Sequence, residues 1–390
     1  GPCAEFIARR LARSGFETRL IVAEDEPGHT DRYPRVNVVA RREGRRPGRT
    51  VHFNSHIDVV EAGHGWTVDP FEAVVKDGRI YGRGTADMKG GLATSIIAAD
   101  AFIEAFPDFP GEIEISGTVD EESGGYAGVG HLARQGLFSR PRVDHVIIPE
   151  PLNKDRICLG HRGVWWAEIA THGRIAHGSM PFLGDCAVRH MGAVLEAFER
   201  DLFPALAGRR TQMPVVPEGA RASTLNINAI HGGQTDEFTG LPSPNVPDRC
   251  AMTIDRRFLL EEDLDAVKKE VTDILDRLVR DRPKFAYELR DIMEVLPTMT
   301  ERDAPVVRAV AAAIEAEFGR APDYVISPGT YDQKHIARIG HLHDCIAYGP
   351  GIPDLAHQPD EWIGIDDMVQ SAHVMAAAID ALLTGAAEPA

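Results

Sequence analysis

The sequence has few cysteines, no long apolar run and fewer basic than acidic residues. Its five cysteines are odd in number and lack Cys-x-x-Cys spacing, which favours reduced thiols in a cytoplasm over a disulfide framework. No apolar run approaches the length of about 18 residues that a membrane span requires. Because 59 acidic residues outnumber 42 basic ones, the net charge of −17 argues against a nucleic acid or an anionic membrane surface as partner.

Length and composition are typical of a soluble globular chain with two or three domains: there are 390 residues, of which 43% are hydrophobic and 26% charged. The first residues predict an amphipathic helix with Phe6, Ile7 and Leu11 on its apolar side. The chain opens at Gly1-Pro2 without Met, so we expect that a native N-terminal piece has been trimmed.

Strand and helix patterns alternate at both ends of the chain and change their order in the middle. Helical periodicity marks Lys89–Phe106, and apolar strand-like runs occur at Arg19–Ala23, Val36–Ala40, Val51–Asn54, Glu112–Val119 and Val143–Pro149. Residues 163–294 read as strand, helix, strand, strand, helix, strand, the βαββαβ order of a ferredoxin-like unit. The sequence therefore predicts an α/β fold, with a larger domain formed by 1–162 and 295–390 and a smaller domain inserted at 163–294.

Histidines and carboxylates recur where predicted strands end or loops precede helices. The positions are His56 with Asp58, Asp87, Glu121 with Glu122, Glu150, and His357. Each position alone is more often a solvated strand end, a turn, a helix cap or a loop histidine than a ligand. Together they supply the nitrogen and oxygen donors that zinc-type divalent ions require. The set as a whole therefore indicates a metal site at one edge of the sheet, whereas each position alone does not.

Five segments resemble, in order, the dinuclear metallohydrolases related to acetylornithine deacetylase, a family that includes succinyl-diaminopimelate desuccinylase, aminoacylase and carboxypeptidase G. They are His56-Ile-Asp58-Val, Gly84-Thr-Ala-Asp87-Met-Lys-Gly90, Asp120-Glu121-Glu122, Pro149-Glu150-Pro151 and Ala356-His357. The resemblance covers essentially the whole chain. It implies a mixed-sheet, metallopeptidase-like catalytic domain and an inserted ferredoxin-like domain that serves dimerisation or acts as a lid, in a homodimer.

The resemblance also implies two divalent metal ions, zinc by preference, with cobalt or manganese as alternatives. The five implied ligands are His56, Asp87, Glu122, Glu150 and His357. Asp87 would bridge both ions, with His56 and Glu150 completing one site and the other two ligands completing the second. Glu at position 150 fits the deacylase and carboxypeptidase members of the family better than the aminopeptidases.

Three further residues take catalytic roles by the same resemblance. Asp58 would hydrogen-bond the non-ligating nitrogen of His56 and so fix its tautomer. Glu121 would be the general base that takes a proton from water and returns it to the leaving amine. Consecutive side chains diverge, so Glu121 can face substrate while Glu122 faces the metal. His177 resembles a small-domain histidine that reaches a neighbouring subunit's active site, whereas an isolated histidine there would be a surface residue.

Substrate contacts are implied for the inserted domain and for a loop after it. The residues are Asn226, Asn228, Asn245, Arg257, Gly329 and Thr330. Arg257 would clamp a substrate carboxylate in bidentate fashion, and the alternative is a salt-bridged strand arginine. A backbone amide in the Gly329-Thr330 loop would suit an anionic group.

The function expected from these features is metal-dependent hydrolysis of an amide bond in a small N-acyl amino acid or related amine. A dipeptidase or carboxypeptidase of the same family is the alternative among enzymes, and deformylation or hydrolysis of acylated aromatic amines is also open. A catalytically silent acidic binding protein is the alternative of another class. No Gly-x-Ser-x-Gly nucleophile elbow is present, and the glycines at 125, 128 and 130 have the wrong spacing for a dinucleotide loop.

Overall fold

The computed structural model describes residues 1–26, 28–233 and 244–385, which form two compact units. The first unit contains Gly1–Gly160, Met299–Val325 and Tyr331–Ala390, and the second contains His161–Thr298 and Ile326–Thr330. Among the described residues, no helix is both long and apolar enough to cross a membrane.

The α-helices are α1 (Pro2–Arg13), α2 (Gly90–Ala105), α3 (His131–Arg134), α4 (Ala187–Ala197), α5 (Phe203–Ala207), α6 (Leu264–Asp281), α7 (Pro305–Phe318), α8 (Gln333–Arg338) and α9 (Ile365–Thr384). The β-strands are β1 (Glu17–Val22), β2 (Val36–Glu43), β3 (Arg46–His56), β4 (Val74–Lys76), β5 (Arg79–Tyr81), β6 (Pro110–Thr118), β7 (His145–Ile148), β8 (Arg156–His161), β9 (Gly163–His172), β10 (Thr224–Gly232), β11 (Arg249–Phe258), β12 (Ala286–Val295), β13 (Thr298–Met299), β14 (Asp323–Ser327), β15 (Cys345–Ala347) and β16 (Trp362–Gly364).

A large mixed sheet organises the first unit. Its strand order is β1-β2-β6-β3-β7-β15-β8-β13, and β14 also pairs with β8. The four central strands β6, β3, β7 and β15 are parallel, whereas β2 runs antiparallel to β6. Because neighbouring parallel strands end at the same edge of a sheet, the segments after β3, β6, β7 and β15 meet there.

The helices of the first unit pack against this sheet and against one another. Helices α2 and α9 pack together and against β3, and α7 packs against α9 and β7. Helix α7 ends at Phe318 and is followed by Gly319, whose φ of +70° is the left-handed conformation that favours glycine. In α1, Ile7 and Leu11 are buried as expected, but Phe6 is 66% exposed, so its predicted place on the apolar side was wrong.

The second unit has the ferredoxin-like architecture. Its antiparallel sheet has the order β10-β11-β9-β12, and α4 and α6 provide the two helices of the βαββαβ sequence. In β11 buried residues alternate with more exposed ones, as expected for a sheet that packs on one face. Trp165, Phe198, Phe258 and Leu275 belong to the core of this unit. The α/β fold with a mixed sheet and a ferredoxin-like unit is therefore as predicted.

Candidate metal centre

The parallel strands bring the predicted site residues of the first unit to one edge of the sheet. His56 is the last residue of β3, Glu121 and Glu122 follow β6, and Glu150 follows β7. Since β3 lies between β6 and β7, these three segments are neighbours. His357 lies in the loop between β15 and β16 and is exposed.

Asp87 lies in the turn that precedes α2, and Glu361 holds this turn. The buried Glu361 carboxylate accepts hydrogen bonds from the backbone N–H groups of Gly84, Ala86 and Asp87, at 3.1, 2.8 and 3.0 Å. Arg83 Nη1 donates to the same carboxylate at 2.6 Å. Gly84 has φ +82°, and a Cβ there would lie 2.5 Å from Val59 Cγ1, so the turn requires glycine.

Two clusters of potential metal-ligating atoms share Asp87. The first is His56, Asp87 and Glu150, and the second is Asp87, Glu122 and His357; within each, one ligand atom per residue lies within 4.8 Å of the others. His56 Nε2 lies 3.0 Å from Asp87 Oδ1. His357 Nε2 lies 3.1 Å from Glu122 Oε2 and 3.4 Å from Asp87 Oδ2. One carboxylate thus contributes to both clusters through different oxygens.

The electrostatics of the clusters favour a cation between them. Burial and the negative charge of Asp87 raise the pKa of Glu150 well above its ordinary value. Hydrogen bonds with Asp87 and Glu122 raise the pKa of His357 to about 10. These carboxylates therefore need positive charge, which protonated imidazoles or divalent ions can supply. Two neutral imidazoles and three carboxylates are a suitable donor set for zinc-type ions.

Asp58 contacts His56 differently from the prediction. His56 Nδ1 lies 3.1 Å from the backbone oxygen of Asp58 and 3.6 Å from its carboxylate, so the hydrogen bond goes to the backbone carbonyl. Because a carbonyl only accepts, Nδ1 carries the proton and Nε2 is directed at Asp87. The Asp58 carboxylate instead accepts from the backbone N–H groups of Glu121 and Glu122, at 3.3 and 3.2 Å.

Glu121 forms an ion pair with Lys334 of α8. Lys334 Nζ lies 2.9 Å from Glu121 Oε1, and the two side chains are only 4% and 11% exposed. Burial alone would lower the pKa of Lys334, but the charges of Glu121 and Asp332 raise it. Burial and the charge of Glu121 raise the pKa of Asp332 to about 7. A buried cation and a second buried acid thus accompany the predicted general base.

His177 lies in an exposed loop of the second unit. Its Nδ1 accepts hydrogen bonds from the backbone N–H and the hydroxyl of Ser179, at 3.1 and 2.7 Å. The Nε2 atom therefore carries the proton and can donate. An isolated antiparallel bridge pairs His177 with Asn245, so these two predicted residues are neighbours in the second unit.

The remaining predicted substrate contacts also lie in the second unit. Arg257 forms a bidentate ion pair with Asp255, at 2.6 and 2.9 Å, which corresponds to the salt-bridged alternative. Asn226 Nδ2 donates to Asn228 Oδ1 at 2.7 Å, and both residues are exposed on β10. In the loop after β14, the Gly329 N–H donates to Ser327 Oγ at 3.2 Å, and Thr330 is partly buried.

Three residues around the centre were not identified from the sequence: Glu361, Lys334 and Asp332. Glu361 lies four residues after His357, but a single glutamate before Trp362 carries no pattern of its own. Lys334 and Asp332 follow the predicted Gly329-Thr330 loop. The sequence indicated Asp332 and Lys334 only by their position directly after a predicted substrate loop. In the structure both side chains are buried, which distinguishes them from surface residues.

Curated relatives of the chain are succinyl-diaminopimelate desuccinylases. The enzyme of Methylorubrum extorquens is 30% identical over 399 residues, which cover 98% of this chain and 94% of the relative. The enzyme of Polynucleobacter necessarius is 27% identical over 392 residues, with the same coverage of both chains.

Solved structures of similar fold include metallopeptidases. A metallo-carboxypeptidase from Sulfolobus solfataricus has a TM-score of 0.75 at 19% identity and covers 97% of this chain and 93% of its own. A dinuclear metal-binding peptidase from Bacillus subtilis has a TM-score of 0.69 at 14% identity, with coverages of 98% and 92%. Residues 52–381 match peptidase family M20/M25/M40. The chain is therefore a member of this family of metal-dependent amide hydrolases, as its motifs predict.

Proposed function

We propose that the protein removes the acyl group from an N-acyl amino acid or a related amine by hydrolysis at a two-metal centre. The observation that carries the proposal is the convergence of two His-carboxylate clusters on one shared residue, Asp87. The curated relatives support deacylation, since their names describe removal of a succinyl group. The alternative is hydrolysis of dipeptides or C-terminal residues, the activities named for some proteins of similar fold.

In this proposal His56, Asp87 and Glu150 hold one ion, and Asp87, Glu122 and His357 hold the other. Zinc is the preferred ion, because two imidazoles and three carboxylates suit it, and cobalt or manganese can replace it. A dinuclear centre of this kind supplies Lewis-acid activation of the attacking water and of the amide carbonyl. Asp58 contributes by fixing the His56 proton on Nδ1 and by holding the turn that begins with Glu121.

Glu121 acts as the general base. Its Oε1 is held by Lys334, and no other described side chain donates to its carboxylate, so Oε2 is the oxygen that takes the proton. The same oxygen then returns the proton to the leaving amine. Consecutive side chains of the turn Glu121–Ser123 point in different directions. The Glu122 carboxylate therefore contacts His357 while Glu121 contacts Lys334.

We further propose a homodimer formed through the second unit, in which His177 of one subunit donates from Nε2 to the developing oxyanion at its partner's centre. Exposed apolar side chains near this histidine support such an interface: Ile175, Met180, Leu183 and Phe182, the last being 76% exposed. Asn228, Asn245, Gly329 and Thr330 are proposed to contact the substrate. Arg257 would do so only by exchanging its pair with Asp255 for a substrate carboxylate.

The proposed location is the cytoplasm. All five cysteines are described, and none forms a disulfide. Three of them, Cys158, Cys250 and Cys345, are buried. Reduced thiols in such positions are typical of a reducing compartment.

A substrate panel tests the proposal. Protein reconstituted with zinc, cobalt or manganese is assayed against N-succinyl, N-acetyl and N-formyl amino acids and against dipeptides. We expect metal-dependent turnover, with the highest kcat/KM on an N-acyl amino acid. A preference for dipeptides would contradict the deacylase assignment, and absence of turnover on the whole panel would contradict hydrolysis.

The variant E121Q tests the assigned base. We expect kcat to fall by roughly 10²–10⁴-fold while both metals stay bound, since only the proton acceptor is lost. E104Q, a change at an exposed residue of α2, is the matched control and should leave kcat unchanged. A kcat near wild type in metal-loaded E121Q would remove Glu121 from the mechanism.

A further inference from the structure

A row of buried polar side chains runs along two central strands towards the metal centre. In the parallel pairing of β3 and β6, His52 is opposite Glu114, Asn54 is opposite Ser116, and His56 is opposite Thr118. All six residues are buried. Central strands of a parallel sheet normally carry apolar residues at such positions, so a buried polar row needs a reason other than packing.

Hydrogen bonds connect four of these residues, Glu114, His52, Ser116 and Asn54, to Asp332. His52 bonds to Glu114 Oε2 through Nδ1 at 3.0 Å and to Ser116 Oγ through Nε2 at 2.7 Å. The Ser116 hydroxyl donates to Asn54 Oδ1 at 2.7 Å, and Asn54 Nδ2 donates to Asp332 Oδ2 at 2.9 Å. The row therefore ends on Asp332, the residue directly before α8.

The first turn of α8 is fixed from its other side as well. Gln333 Nε2 donates to the backbone oxygens of Leu159 and Cys345, at 3.2 and 2.7 Å, and to Thr300 Oγ1 at 3.0 Å. Asp332 and Gln333 are thus held by side-chain hydrogen bonds from different parts of the first unit. The backbone that carries Lys334 has little freedom to move as a result.

Helix α8 is also fastened to the turn that carries Glu121. Besides the pair between Lys334 and Glu121, His335 Nε2 donates to the backbone oxygen of Gly124 at 2.7 Å. Gly125 has φ +78°, and a Cβ there would lie 2.9 Å from Asp332 Oδ1. The absence of a side chain at Gly125 allows this close approach.

We propose that Lys334 is a positioning residue for the general base: its ammonium holds Oε1 of Glu121, and the buried polar row from Glu114 to Asp332 holds Lys334 in place. The inference rests on the proposed role of Glu121. A carboxylate on a short turn rotates freely unless one oxygen is held, and misplacement of a base by about 1 Å can lower the rate by roughly 10²-fold. Lys334 therefore affects kcat through Glu121 and does not bind substrate.

The test compares K334M and K334R with wild type in the metal-loaded protein. We expect K334M to lower kcat by roughly 10²-fold with little change in KM, and to keep both metals. Arginine restores a donor and a charge, so K334R should recover a substantial part of the lost kcat. K154M is the matched control, because Lys154 forms a partly buried pair with Asp367 at 2.5 Å outside the centre. It should leave kcat unchanged.

A double-variant cycle separates positioning from other roles. In the E121Q background, K334M should lower kcat by less than about 2-fold, because the residue through which Lys334 acts is gone. An equal loss in both backgrounds, a rise in KM at unchanged kcat, or a kcat per bound metal equal to wild type would each overturn the inference. If K334M does not fold, K334Q keeps a donor without the charge and enters the same comparison. An active E121Q would instead remove Glu121 from the proposed mechanism, whereas absence of turnover on the substrate panel would contradict the proposed function itself.

Discussion

The turn that carries Asp87 depends on one buried carboxylate, that of Glu361. This carboxylate accepts four hydrogen bonds, three from backbone N–H groups and one from Arg83. In E361Q the side chain has the same shape but no charge, and its amide nitrogen cannot accept. Two of the donors, Arg83 and the Gly84 N–H, share Oε2 and would then face an NH₂ group.

The size of the effect follows from these contacts. Removing one partner of a buried ion pair costs about 3–5 kcal/mol, because the other charge stays buried without compensation. The unpaired Gly84 N–H adds to this penalty. For the first unit we expect E361Q to lower the free energy of unfolding by about 4 kcal/mol, which corresponds to a fall in Tm of roughly 10 °C. Because the lost bonds hold Asp87, metal affinity should fall as well.

Calorimetric unfolding and metal analysis of E361Q check this prediction. The control is E112Q. Glu112 of β6 pairs with Arg41 of the neighbouring strand β2, and their side chains are 24% and 34% exposed, so this ion pair is not buried. Its effect should be about 1 kcal/mol or less, with full metal content. If E361Q and E112Q unfold at the same temperature and bind metal equally well, the reasoning that assigns Glu361 to the Asp87 turn is refuted.

Two further predictions concern metal removal and pH. Chelation of the metals should lower Tm, because a ligand present at 100 times its Kd stabilises the folded state by about 2.7 kcal/mol per site. The fall in Tm on chelation should be smaller in E150Q. An unchanged Tm of the wild type on chelation would contradict the metal centre. Burial, followed by the charge of Lys334, lowers the pKa of His335 from 6.5 to about 4, so the folded state resists its protonation. The free energy of unfolding should therefore fall as the pH is lowered from about 6.5 towards 4, by about 2 kcal/mol at pH 5. Calorimetry of H335Q should show no loss of stability from this group. Parallel pH profiles for H335Q and wild type would show that His335 is not the group.

Much of the fold was predictable because apolar runs and periodicity mark buried strands and long helices. The predicted helix Lys89–Phe106 corresponds to α2 (Gly90–Ala105), and the βαββαβ order appears as the sheet β10-β11-β9-β12. Short strands such as β4, β5 and β16 have three residues each and carry no periodicity, so nothing in the sequence indicated their small sheet.

The candidate site was predictable where a residue ends a parallel strand, as His56 does, or follows it closely, as Glu150 does. It was not predictable where a charged side chain is buried by tertiary structure. The Val51–Asn54 run was interpreted as apolar, yet His52 and Asn54 lie inside a hydrogen-bonded row. Glu361 and Lys334 look like surface residues until their partners, which are more than 200 positions away along the chain, are known.

Metal stoichiometry is the most direct test of the central claim, which is that two ions are bound by clusters sharing Asp87. Zinc is titrated into metal-free wild type, H56A and H357A, and the number of bound ions per chain is measured. We predict two ions for wild type and one for each variant, because each histidine belongs to a different cluster. A wild-type stoichiometry below two, or a stoichiometry that neither substitution changes, would contradict it.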